Sequence, residues 1–153
     1  TNPSFGTGYL SPWFTKVPNV AKVTNGTDYT AAFDGEYCLE LTTAIDNGAN
    51  AFSQAISGLV PRKTYHFSVY VQTPVGGVDY CYVSAWMGLN DTITTGSWDG
   101  SQGGEWAPIT GTYTAKSTSD ILSISGGCNS PDNSDTWVVW FDEVVLGAAG
   151  CGQ

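Results

Sequence analysis

Charge is what this sequence has least of. Asp, Glu, Lys and Arg together make up 12% of its 153 residues, about half the share usual in globular domains. Only five residues are Lys or Arg, and the formal net charge is −9. Binding to nucleic acid or to an anionic membrane draws on clustered basic residues and the counterions they release, so both partners are excluded. Histidine is scarcer still: His66 has no HExxH context, and no serine elbow accompanies it. No apolar run approaches the roughly 18 residues that would span a bilayer. No segment holds a sustained 3.6-residue apolar period, which excludes a helical architecture. The four cysteines, Cys38, Cys81, Cys128 and Cys151, form no CxxC pair and have no histidine partners, so zinc is a poor reading and two disulfides a better one.

What the chain does have is a polar surface of Ser, Thr, Asn, Gln and Gly, with six Trp and eight Tyr. Such a surface is neutral and rich in hydroxyl and amide groups, which suits hydroxylated ligands better than ionic ones. Two sequons, at Asn25 and Asn90, agree with the cysteines in pointing to a glycosylated, secreted, extracellular protein. The opening at Thr1 without a methionine fits a mature chain.

Short β-branched or aromatic runs recur about every ten residues, each closed by Gly, Pro, Asn or Asp. They place strands near Ala31 to Phe33, Tyr37 to Thr43, Ala51 to Ile56, Tyr65 to Thr73, Tyr80 to Leu89, Gly111 to Ala115, Ile121 to Ser125 and Trp137 to Leu146. Many short strands with nothing helical between them predict an all-β antiparallel sandwich. No linker or repeat divides residues 1–153, so one domain is expected.

Alternation sorts the faces of two strands. Phe67, Val69 and Val71 share one side, with His66, Ser68, Tyr70 and Gln72 on the other. Cys81, Val83, Ala85 and Met87 likewise oppose Tyr80, Tyr82, Ser84 and Trp86. The aliphatic sets belong to the core. One sheet is then expected to carry Tyr70, Gln72, Tyr82 and Trp86 on its wet face. Cys81 faces the core, and Cys128 ends a neighbouring strand, which suggests a Cys81–Cys128 bridge and leaves Cys38 for Cys151.

The order of several segments resembles the carbohydrate-binding-module superfamily with the galactose-binding-like jelly roll, particularly modules like families four, nine and twenty-two and their fungal secreted relatives. The segments are Asn2-Pro3-Ser4-Phe5 with Pro12-Trp13, then Asp34-Gly35-Glu36-Tyr37, then Ser53-Gln54 with Leu59-Val60-Pro61. Tyr65 to Val71, Trp106 before Gly111 to Ala115, and the closing Phe141-Asp142-Glu143-Val144-Val145-Leu146 complete the order. The resemblance implies a jelly roll that binds a polysaccharide or cell-wall glycan as a monomer, either across a sheet face or on the loops at the sandwich edge. It also implies a structural calcium at Asp142. The family's acidic residue after the first Phe is Gly6 here, which removes one oxygen ligand from a cation that prefers six to eight. The other reading of Asp142 is a buried carboxylate bonded to backbone N–H groups.

Aromatic side chains offer flat apolar area to the C–H faces of sugars, and neighbouring amides orient the hydroxyls. Trp13 and Trp106 fall where the resemblance places core tryptophans. Trp137 and Trp140 flank the last strand, with one of them facing inward. Trp86 shares a wet face with Tyr82, and Trp98 lies in a Gly/Ser/Asp segment read as a loop. The expected ligand contacts are therefore Trp86, Trp98, Tyr82, Tyr70 and Gln72. Two rivals remain. A secreted adhesin or protein-interaction domain would use the same face. A small glycosidase or polysaccharide lyase would need two carboxylates about 5 to 10 Å apart. Asp142 and Glu143, being adjacent, point to opposite faces, and no catalytic residue is assigned.

Overall fold

The computed structural model describes residues 5–25, 32–132 and 134–148. Nine strands run in chain order: β1 Ala21–Thr24, β2 Cys38–Thr42, β3 Ala49–Ser57, β4 Thr64–Gln72, β5 Tyr80–Met87, β6 Asp91–Asp99, β7 Ala107–Thr114, β8 Ser119–Asn129 and β9 Val138–Ala148. They form two antiparallel sheets, a five-stranded one in the order β1-β2-β9-β4-β7 and a four-stranded one in the order β3-β8-β5-β6. The expected all-β antiparallel sandwich is the observed fold, with no helix among the described residues.

The core lies between the sheets and is built from the inward half of each alternating strand. Phe67, Val69 and Val71 of β4 and Cys81, Val83, Ala85 and Met87 of β5 are buried, as their alternation requires. Phe52 of β3 meets Phe141 of β9 edge-on at 5.0 Å, and Trp13 meets Phe52 at 5.1 Å. Such edge-to-face contacts join the two layers. Cys81 and Cys128 are register partners on β5 and β8 and are bonded to each other, as expected. At a sequence separation of 47, this bridge removes about 4 kcal/mol of unfolded-chain entropy in the loop-closure picture. The Cys38 thiol is buried and bonds no other cysteine among the described residues, and its expected partner Cys151 lies outside them. Burial, then the charges of Asp142 and Glu40, pushes that thiol up to about 12.

Several strand boundaries differ from the sequence reading. Residues 32 and 33 belong to no strand. Phe33 leaves the sheet because its ring lies flat on Tyr70, 3.6 Å between centroids and 15° between planes. The segment read as a loop around Trp98 is strand β6, an edge strand whose Thr-rich alternation is masked by Gly96 and Ser97. β1 was not foreseen, being only four residues long.

Candidate functional site

The expected single wet face is in fact two. Alternation says which residues of a strand share a side, but not which sheet the strand joins. β4 lies in the five-stranded sheet and β5 in the four-stranded one. Tyr70 and Gln72 therefore sit on the opposite outer face from Tyr82 and Trp86.

On the four-stranded sheet, the outward residues of β5 form a column of Tyr80, Tyr82, Ser84 and Trp86. Register places Tyr82 beside Gly127 and Ala49, Ser84 beside Ser125 and Ala51, and Trp86 beside Ser123 and Ser53. A floor of Gly, Ala and Ser next to aromatic rings leaves a depression, because the small residues cannot fill the height of their neighbours. The result is a groove of about 730 Å³ floored by Ala51, Ser53, Ser123 and Ser125. Trp86 borders it on one side, Phe14, Lys16 and Val17 on the other, and Gly88, Leu89, Asp120 and Ile121 complete the rim. Phe14 is held there by paired backbone hydrogen bonds of 2.8 Å with Ser53. In the floor, the Ser53 and Ser123 hydroxyls lie 2.7 Å apart.

Tyr82 extends the aromatic column along the same face. Its ring lies over Gly127, where a Cβ would come within 2.5 Å of Cζ, so only glycine fits beneath it. The phenol donates to the Asn47 carbonyl at 2.6 Å, and burial, then Tyr80, raises its pKa. Tyr80 stands 6.1 Å from Tyr82 and accepts a hydrogen bond from Asn129 Nδ2 at 3.1 Å.

The other expected contacts are placed differently. Trp98 is the register partner of Cys81, so it points inward and packs against the core from the edge strand. It does not share a face with Trp86. Tyr70 is capped by Phe33, with Trp106 edge-on to Phe33 at 6.2 Å. Trp106, expected in the core, is half-buried and outside the core cluster, whereas Trp13 is buried in it as expected. Gln72 is buried, its Nε2 donating to the Gly104 carbonyl at 2.9 Å. Trp137 is half-buried and packs against the core, as expected of one of the pair, whereas Trp140 is half-buried outside the core cluster. Ser53, Ser123 and Ser125 were missed, since small hydroxylated residues carry no signal of their own. Their spacing at every second position on β3 and β8 is the trace that could have revealed them.

Asp142 is fully buried beneath the Phe33–Asp34 segment. Its Oδ2 accepts the Asp34 N–H at 2.9 Å and its Oδ1 the Glu143 N–H at 2.8 Å. Burial dominates these bonds and pushes the carboxyl up to about 6. Among the described residues no three His, Cys, Asp or Glu side chains group to hold a metal. With both oxygens engaged by N–H donors, the described residues around Asp142 do not form the set of several oxygen ligands that a calcium ion prefers.

Comparison with known proteins places this geometry. Residues 1–125 match a family described as a carbohydrate binding domain. No curated protein matches the sequence. Among solved structures, the fold is similar to TmCBM61 in complex with β-1,4-galactotriose, at 18% identity and a TM-score of 0.69, covering 97% of this chain and 96% of that one. It is also similar to the CBM22-1 xylan-binding domain from Paenibacillus barcinonensis Xyn10C, at 17% identity and a TM-score of 0.70, covering 98% and 94%. A third likeness is the C-terminal family 22 module of Clostridium thermocellum Xyn10B, at 20% identity and a TM-score of 0.67, covering 99% and 95%.

Proposed function

The chain belongs to the carbohydrate-binding domain family and is a non-catalytic glycan-binding module; on that premise we propose that it holds a neutral polysaccharide strand in the groove of the four-stranded sheet. The observation that carries this reading is the pairing of Trp86 with a hydroxyl floor. The indole supplies flat apolar area for a sugar ring, and Ser53, Ser123 and Ser125 supply donors and acceptors for its fringe. Lys16 and Asp120 are the charged residues of the rim, and the chain's net charge of −9 would repel an acidic polysaccharide. Xylan and β-1,4-galactan are the first candidates, from the names of the structural relatives.

An extracellular setting is part of the proposal. It is supported by the Cys81–Cys128 disulfide and by the exposure of Asn25 and Asn90, which leaves both open to glycosylation. The module is proposed to act as a monomer on its polysaccharide.

Trp86→Ala tests the placement, assayed by pull-down on insoluble xylan, β-1,4-galactan, cellulose and chitin. Affinity for the preferred glycan should fall roughly 10- to 30-fold, about 1.4 to 2 kcal/mol, with the melting temperature unchanged. Unaltered binding would remove the groove from the account. The exposed apolar rim of Phe14, Val17, Leu89 and Ile121 favours a second reading, a protein partner. Binding to no glycan, with capture of a defined protein that Trp86→Ala abolishes, would favour that reading instead.

A further inference from the structure

On the opposite side of the sandwich a cavity of about 560 Å³ opens beside the two tryptophans of the last strand region. Trp137 and Trp140 line it, together with Glu40, Gln72 and Lys22. Glu40, Trp140 and Gln72 are register neighbours across β2, β9 and β4, so an indole stands between a carboxylate and a carboxamide. The Glu40 side chain is 15% exposed and meets Lys22 Nζ at 3.7 Å.

Both indole nitrogens are shut off from solvent and reach no acceptor among the described residues. Their polar edges are turned into the protein, and the part of each ring left to the cavity is carbon. That is the part that stacks on the C–H face of a sugar. Trp137 is also fixed in place. Its backbone N–H donates to Thr43 Oγ1 at 2.9 Å. Its ring lies on Gly77, where a Cβ would fall 2.5 Å from Cη2. A pre-positioned aromatic surface with a fixed polar fringe binds at low ordering cost.

We propose that this cavity is a second glycan site, taking one or two sugar residues at a chain end or branch. It rests on the module's glycan binding but not on the placement of the first site in the groove. The two sites lie on outward faces of different sheets, so the module would tie two polysaccharide strands together. Binding to a dense polysaccharide surface would then exceed that of either site alone.

Titration calorimetry with xylohexaose and with β-1,4-galactotriose tests this, using the unaltered chain, Trp86→Ala, Trp140→Ala and Glu40→Gln. Glu40→Gln keeps the shape of the site while removing its charge and its Lys22 partner, which covers the case that Trp140→Ala fails to fold. The unaltered chain should take two equivalents of at least one probe, and Trp86→Ala should take one. Adding Glu40→Gln to Trp86→Ala should weaken the remaining site at least about tenfold. If Trp86→Ala abolishes all binding while Trp140→Ala and Glu40→Gln bind as the unaltered chain does, the second site is overturned and the groove stands. If Trp140→Ala abolishes binding and Trp86→Ala changes nothing, the groove placement falls and this site remains. Failure of the unaltered chain to bind either probe overturns the inference.

Discussion

The two outer faces of this sandwich are made from the same ingredients and have opposite fates. Each carries aromatic residues on a central strand, Tyr82 and Trp86 on β5 and Tyr70 on β4. On the four-stranded sheet their neighbours are Gly, Ala and Ser, and the rings border open space. On the five-stranded sheet Phe33 lies on Tyr70, and Asp34 reaches down to bond Asp142. That segment covers the middle of the sheet and leaves separate cavities at His66 and at Trp140. An aromatic residue becomes a ligand platform through what is missing around it as much as through its own chemistry.

The largest effect that would sharpen the comparison is on stability. Trp98, paired in register with Cys81, packs against the core rather than lining the groove. Trp98→Ala should therefore lower stability by about 3 kcal/mol, the low end for a truncated tryptophan because this one is only partly buried. Denaturant unfolding checks this, and glycan affinity of the folded fraction should be unchanged. A variant of normal stability that no longer binds would return Trp98 to the ligand site.

The covered face makes a pH-dependent prediction. Asp142 carries a carboxyl raised from 3.8 to about 6 by burial. The folded state then holds its proton more tightly than the unfolded chain, so stability is greatest below about pH 4 and is lost as pH rises through 6. The expected loss is on the order of 2 to 3 kcal/mol from this group. Asp142→Asn should flatten the slope in melting experiments between pH 4 and 7, and a chelator should leave the melting temperature at pH 7 unchanged. A calcium ion at Asp142 would reverse both results, because it requires the ionised carboxylate and stabilises only the folded chain.

These placements show what the sequence could and could not convey. The inward halves of β4 and β5 and the Cys81–Cys128 bridge follow from alternation, since a period of two leaves no other side for Val69, Val83 or Cys81. Sheet membership does not follow, because it depends on long-range pairing of β4 with β9 and of β5 with β8. That gap merged Tyr70 and Gln72 with Tyr82 and Trp86 on one face. Trp98 was misplaced for a local reason: Thr94-Thr95-Gly96-Ser97 has turn-like composition but alternates as an edge strand. The groove floor stayed hidden because Ser123 and Ser125 act through their small volume, and smallness in a Ser-rich chain attracts no notice.

A smaller effect separates support from contact on the open face. Tyr82→Phe removes the 2.6 Å hydrogen bond to the Asn47 carbonyl but keeps the ring over Gly127. Thermal unfolding should register a loss of about 1 kcal/mol, with glycan affinity nearly unchanged. A large loss of affinity would mean that the hydroxyl meets the sugar directly.

The most direct test fills the groove rather than trimming its wall. Ser125 faces outward between Ala51 and Ser84, and Ser125→Trp would put an indole where the strand is proposed to lie. Pull-down on the preferred insoluble polysaccharide should show groove binding abolished, while the melting temperature stays within a few degrees because no core position changes. A control variant, Thr110→Trp on the exposed edge of the five-stranded sheet, should bind as the unaltered chain does. Full retention of glycan binding by a folded Ser125→Trp chain would contradict the placement of the polysaccharide on the four-stranded sheet.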